Sequence, residues 1–366
     1  MDFQFTYAPI VKGKANDIKA VSYLAAQHAD RIKPVFELPP FVHTEDPEKI
    51  LTRFSTRLSK LYSKRPCYID LPLLKPGAVD ASGRSILSVA YGQLTALSIN
   101  YEPVYGLDRD ESLWPTVINL ALRSGGMLLR LEIEDMEFAD DTLDRIHDLT
   151  LLGLNTRQMD VLLDCRHLSQ AEKTTEISGL AAAFLEQLAS AFQVRKIIIA
   201  GSSAPKTVTQ IPKNSKGEVT RHELSLWTNL RVKALPFDVV YGDYGVIHPD
   251  FTDLTPSPHI NGKIRYTQGR SFHIFRGHSL SQEDKYEQYR KLSHAVLSSA
   301  LYQGHTYSRG DRYIYDCATG HATTGNAGTW VMNDLNHHFT YVVQQIVRLE
   351  GLILRGYLEP AILEAA

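Results

Sequence analysis

MLLRLEI, residues 127–133, reads as one strand of a sheet covered on both faces, because its apolar residues run almost without a break. Arg130 and Glu132 stand two apart and share a face, while Leu131 takes the other. Seven further runs of the same kind flank it: FTYAPIV (5–11), KPVFEL (33–38), CYIDLPL (67–73), EPVYGL (102–107), MDVLLD (159–164), KIIIAG (196–201) and FDVVYGD (237–243). Their centres, from Pro9 through Val35, Ile69, Val104, Leu129, Leu162 and Ile198 to Val240, lie between 25 and 42 residues apart. A parallel strand needs a crossover, usually a helix, before its neighbour. Eight strands at that rhythm predict a (β/α)8 barrel with Val35, Ile69, Leu129 and Ile198 in its core.

The segments between the runs carry helix signals. Asp46-Pro47 before EKILTRFSTRLSKLY offers a cap, a proline in the first turn and apolar residues at helical spacing. Ser169 before QAEKTTEISGLAAAFLEQLASAF and Asn16 before DIKAVSYLAAQHA repeat the pattern. An open doubly wound sheet is the competing fold, and the lack of a dinucleotide-type glycine fingerprint argues against it.

After about residue 250 the rhythm breaks. IRYTQG (264–269) and SFHIFRG (271–277) alternate like a hairpin, residues 281–301 read as a helix, and a last helix is expected from Phe339 to Tyr357. The expected organisation is a barrel core over 1–250 and a C-terminal extension, 251–366, packed on it. PKNSKGEVT (212–220) is the most loop-like interior stretch.

Composition narrows the class. Of 366 residues, 43% are hydrophobic and 22% charged, which excludes a disordered, coiled-coil or collagen-like chain. The formal net charge of −2 provides no global field for a polyanion, so nucleic acid is not expected as a partner. Cys67, Cys165 and Cys317 are far apart and odd in number, so a reducing cytoplasm is expected. The start, MDFQFTYAPIVKGK, does not read as a signal peptide, and no run reaches the roughly 18 apolar residues of a membrane helix.

YAPIVKGK at the first strand, PVFEL at the second, YIDLPLL at the third and the late TWVMNDLNHH together resemble the phage-T4-type beta protein family. The resemblance extends over nearly the whole chain. It implies a phage or phage-defence context and supplies no activity or catalytic residue.

In such a barrel the functional face lies at the carboxyl ends of the strands. Those ends carry Lys12 and Lys14, Glu37, Asp70, Asp108, Arg130 with Glu132, Asp164 with Arg166, Ser202 and Ser203, and Asp243. Burying so many charges is costly unless they pair or meet a ligand. Glu37, Asp70, Glu132 and Asp164 are the candidate catalytic carboxylates, with a divalent metal as the candidate cofactor. Lys12, Lys14, Arg130, Arg166, Ser202, Ser203 and Asp243 are the candidate ligand-binding groups. An ion-pair lid that merely seals the barrel is the competing reading; Asp108 and Asp243 read equally well as helix caps. GSSAPK (201–206) and GDYG (242–245) follow the last two strands, where many barrels hold phosphate on backbone amides.

The tail offers two weaker signals. Cys317, His321, His337 and His338 are ligand types for zinc, but their spacing matches none of its usual signatures. Arg265, Arg270 and Arg276 beside Tyr266, Phe272 and Phe275 resemble a basic-aromatic surface, and hairpin alternation accounts for them as well. There is no GxxxxGK[ST], GxSxG, HExxH or CxxC. Two functions are therefore carried forward. One is a barrel that binds, and with metal help hydrolyses, a small phosphorylated or nucleotide-like ligand. The other is a non-catalytic sensor or partner-binding subunit whose protein partner is encoded nearby.

Overall fold

A computed structural model describes residues 4–40, 46–251, 260–282 and 284–355. Its strands, in chain order, are β1 (Tyr7–Lys12), β2 (Val35–Glu37), β3 (Cys67–Asp70), β4 (Tyr101–Gly106), β5 (Met127–Leu131), β6 (Met159–His167), β7 (Lys196–Ser202), β8 (Ser215–Thr220), β9 (Val239–Asp243), β10 (Asn261–Gln268) and β11 (Ser271–Ser279). β1 to β7 and then β9 close into a barrel in that order. Parallel pairing runs from β9 through β1 to β6, and from β7 to β9. These are the eight runs read as strands, and Val35, Ile69, Leu129 and Ile198 are fully buried.

The chain forms two compact units that interleave in sequence. The first comprises Met1–Lys14, Ile32–Gly201 and His222–Asp243; the second comprises Ala15–Arg31, Ser202–Arg221 and Tyr244–Ala366.

In the first unit the helices follow the amphipathic pattern. Pro47–Tyr62 is capped by the Asp46 carboxylate, which accepts from the Glu48 amide at 3.0 Å, and it buries Ile50, Leu51, Phe54, Leu58 and Tyr62. The helix Ala171–Ala191 begins after an extended Gln170 and has no side-chain cap, so Ser169 does not play the role expected of it. β9 approaches its neighbours closely at Gly242. A Cβ there would sit 2.9 Å from the Ala200 Cβ and 3.1 Å from the Ala8 carbonyl oxygen, so closure at this seam requires glycine.

The second unit holds a three-stranded antiparallel sheet, ordered β10-β11-β8. The hairpin between β10 and β11 turns through Gly269 at φ 58°. β8 corrects the reading of 212–220 as loop. It is an edge strand with every second residue exposed, and Val219 is its one large apolar residue, too little for an apolar-run criterion to detect. The helix expected over 281–301 is confined to Gln288–Leu297, and the last helix starts already at Ala327, under an Asn326 capping box. The described part of that helix ends at Leu354, and Tyr357 lies outside the described residues. Tyr289 and Trp330 stack at 4.6 Å in a core with Ile264, Tyr266, Phe275, Val296 and Ile314.

Candidate functional site

Register decides which strand residues face the barrel interior. Lys12 is paired with Glu37, Glu37 with Asp70, and Gly106 with Arg130. Residues paired across a ladder share a face, so these side chains meet inside the carboxyl end of the barrel. Asp164 joins them from β6, two residues beyond Leu162, the register partner of Arg130.

Arg130 is the hub. Its Nη1 lies 2.8 Å from Glu37 Oε1 and 2.5 Å from Asp70 Oδ2, while Nε and Nη2 reach Asp164 Oδ2 at 3.1 and 2.5 Å. Lys12 Nζ takes the other oxygen of Glu37 at 2.5 Å. Arg109 grips Asp70 with two nitrogens, at 2.6 and 3.2 Å. Gly106 fits tightly at this strand end: a Cβ there would collide with Asp108 Oδ1 and stand 3.1 Å from the Arg130 carbonyl oxygen. Burial alone would raise the Asp70 carboxyl, but Arg109 and Arg130 outweigh it and hold the group below the ordinary carboxylate range. Burial lowers the Lys12 ammonium, opposed by Glu37 and assisted by Arg130 and Arg166, and the net shift is downward.

Glu37, Asp70 and Asp164 therefore come together with Lys12, Arg130 and Arg166, as the strand-end positions suggest. Arg109, which the sequence reading passed over, stands next to Asp108 at the same strand end. Asp108 itself is exposed, 3.8 Å from Arg109. Arg166 sits at φ 51°, a left-handed conformation uncommon for a residue other than glycine. Its amide donates to Asp164 Oδ1 at 3.0 Å, and its guanidinium lies 3.8 Å from Asp164 Oδ2. The Lys14 amide bonds the Lys12 carbonyl at 2.6 Å.

Glu132, the fourth candidate catalytic carboxylate, has a different setting. It caps the short helix Ile133–Glu137 in a reciprocal box with Asp135. Crowding by surrounding protein and the nearby Asp164 charge raise its carboxyl above the ordinary range. Among the described residues no group of three or more His, Cys, Asp and Glu side chains is placed to hold a metal ion. The cation between Glu37 and Asp70 is the Arg130 guanidinium, so this donor set does not fit a metal.

Asp243 is also displaced from its expected role. It pairs in register with Pro9, one residue off the inward-facing Ala8–Gly242 pair, and so points into the helical layer. There it accepts from the Tyr7 hydroxyl at 2.5 Å and the Tyr241 hydroxyl at 2.9 Å, with Trp227 packed edge-on against Tyr241. Ser202 and Ser203 fall in the second unit, where the Ser202 hydroxyl donates to the Ile247 carbonyl and accepts from the Ala204 amide.

A second buried network lies at the amino ends of the barrel strands. Tyr68 donates its hydroxyl to Asp160, which Arg195 also grips at 2.8 and 2.6 Å. Arg195 bridges on to Glu102, and Lys33 reaches Glu102 at 2.9 Å while lying over the Tyr68 ring. Asp160 stands inside an apolar run, and that was the one signal pointing to this network.

In the second unit, Asp311 accepts from the Tyr266 and Ser308 hydroxyls at 2.6 and 2.5 Å and faces His337 Nδ1 at 2.8 Å. His338 bonds Thr267 instead, and His321 bonds Thr319, so the four zinc-type residues of the tail do not converge. Arg276 is buried against the carbonyls of Val208, Thr209 and Ile211, and Tyr266, Phe272 and Phe275 are buried too, which leaves no basic-aromatic surface on that hairpin.

Closed parallel strands with an ion-pair network at their carboxyl ends define a (β/α)8-barrel protein. The sequence model of the family described as Beta protein matches residues 7–344, and the chain belongs to that family. No curated protein matches. Among solved structures, the chain is similar to a type I 3-dehydroquinate dehydratase from Clostridium difficile, at 12% identity and a TM-score of 0.41 over 69% of this chain and 90% of that one. It is also similar to a triosephosphate isomerase from Bartonella henselae, at 11% identity and 0.35 over 66% and 91%. The fold assignment rests on strand order and register. No helix among the described residues is long and apolar enough to cross a membrane.

Proposed function

We propose that the carboxyl end of the barrel binds a small phosphorylated or nucleotide-like anion, in the phage or phage-defence setting that the family resemblance implies. The supporting observation is the charge layout of the network. Four cations, Lys12, Arg109, Arg130 and Arg166, face three buried carboxylates, Glu37, Asp70 and Asp164. Lys12 and Arg130 engage all three carboxylates, Arg109 adds a second grip on Asp70, and the guanidiniums of Arg109 and Arg166 reach the rim, 12% and 35% exposed. Planar guanidinium groups suit a phosphate because they offer paired donors. In this reading Glu132, whose carboxyl is raised, moves the proton in phosphoester cleavage beside them. The test is titration with inorganic phosphate and with adenosine monophosphate. Arg166→Gln should weaken binding at least tenfold with an unchanged melting temperature, and equal affinity in the variant would remove the mouth from the reading.

A second reading, a partner-binding subunit, rests on a different observation. Leu122, Phe138, Leu151 and Leu152 are exposed apolar side chains of the first unit, and Leu122 borders a small cleft lined with Ile118, Ala121 and Leu154. Trp330 and His338 of the tail are buried and add nothing to that exposed apolar surface.

A further inference from the structure

Lys12, Glu37 and Arg130 have the arrangement of an activated amine. Lys12 Nζ is 2.5 Å from Glu37 Oε2, and Arg130 Nη1 fixes the second oxygen of the same carboxylate at 2.8 Å. A nucleophile, a proton acceptor within hydrogen-bond reach and a third group that orients the acceptor form the general logic of covalent catalysis. All three project from the inner face at the carboxyl ends of strands, where a barrel places its chemistry. A purely electrostatic role would suit arginine better, since guanidinium holds its proton and pairs bidentately. Lysine at this position is the residue that can give its proton up.

We propose that Lys12 forms an imine with a small aldehyde or ketone that carries a carboxylate or phosphate group, the anionic end being held by Arg109 and Arg166. This deepens the anion-binding reading above and rests on it for the orientation of the substrate. Glu37 accepts a proton from the Lys12 ammonium, and the amine lone pair adds to the carbonyl carbon. Proton transfer from nitrogen to oxygen then gives a neutral carbinolamine. Glu37 returns its proton to that hydroxyl, which leaves as water while the nitrogen lone pair forms the C=N bond. Carbonyl and amine thus become imine and one water, with no redox partner required. The downward shift of the Lys12 ammonium favours the neutral amine this step needs. Lys12 is 3% exposed, so capture requires movement of rim side chains.

The experiment is reductive trapping of the full chain with glyoxylate or glycolaldehyde phosphate in the presence of cyanoborohydride, followed by peptide mapping. The expected result is one reduced adduct on Lys12, formed at least tenfold more slowly in Glu37→Gln and absent from Lys12→Arg. Because the adduct is located in the unaltered protein, the test stands even if a variant fails to fold. Adducts confined to exposed lysines, with Lys12 unmodified, overturn the proposal. If phosphate still binds in an Arg166-dependent way, the imine alone has failed. If phosphate binding is absent while Lys12 is trapped, the anion-binding reading has failed and the imine stands.

Discussion

Arg130 holds Asp164 through two nitrogens on one carboxylate oxygen, Nε at 3.1 Å and Nη2 at 2.5 Å. The remaining guanidinium nitrogen serves Glu37 and Asp70, so one cation binds carboxylates from three other strands. Removing any one partner leaves charge stranded where water cannot replace it.

Asp70→Asn tests whether the network stabilises the fold. A catalytic pocket read from strand ends alone predicts little change in melting temperature, but the double pairing of Asp70 with Arg109 and Arg130 predicts a loss of about 3–5 kcal/mol. The Asp70 carboxyl is held below its unfolded value, so its contribution is present above about pH 4 and is lost as pH falls through the folded value. Urea melts at neutral pH decide the point, and a variant as stable as the parent contradicts it.

At the other end of the barrel, Asp160→Asn should also cost roughly 3–5 kcal/mol, because Arg195 and the Tyr68 hydroxyl lose their shared partner. Phosphate affinity should stay within about twofold, since the amino-end face of a barrel serves stability. A large drop in affinity at preserved fold would tie this end to the site.

Tyr7→Phe removes one of the two hydroxyls on Asp243 and should lower stability by about 1 kcal/mol. Ligand titrations should be unaffected, because this carboxylate faces the helical layer. Loss of binding in a folded variant would return Asp243 to the site.

Asp334, in the second unit, is buried beside Arg265, whose guanidinium lies 3.3 Å away, and burial pushes its carboxyl up to about 7. A raised carboxyl means the native state binds the proton more tightly, so this group costs stability increasingly as pH rises from about 4 to about 7. Asp334→Asn, which mimics the protonated form, should be nearly neutral at about pH 3.5 and stabilising at about pH 8. Thermal melts at the two pH values should show the variant's advantage growing with pH, and an advantage that shrinks would reverse the assignment.

Local pattern determined the strands and their order. Apolar runs such as KIIIAG and MLLRLEI specify buried strands wherever they occur, and their even spacing leaves room for one crossover each. It also singled out Glu37, Asp70, Arg130 and Asp164, because a charge inside an apolar run must find a partner. β8 escaped notice because an edge strand exposed at alternate residues needs few apolar side chains. Which partners the charges found was decided only by closure of the barrel, which brings Glu37 to an arginine 93 residues away. Closure also set the face of each strand end. One residue of register separates the inward-facing Gly242 from Asp243, and that single step turned an expected ligand-binding carboxylate into a hydrogen-bond acceptor for two tyrosines in the outer layer.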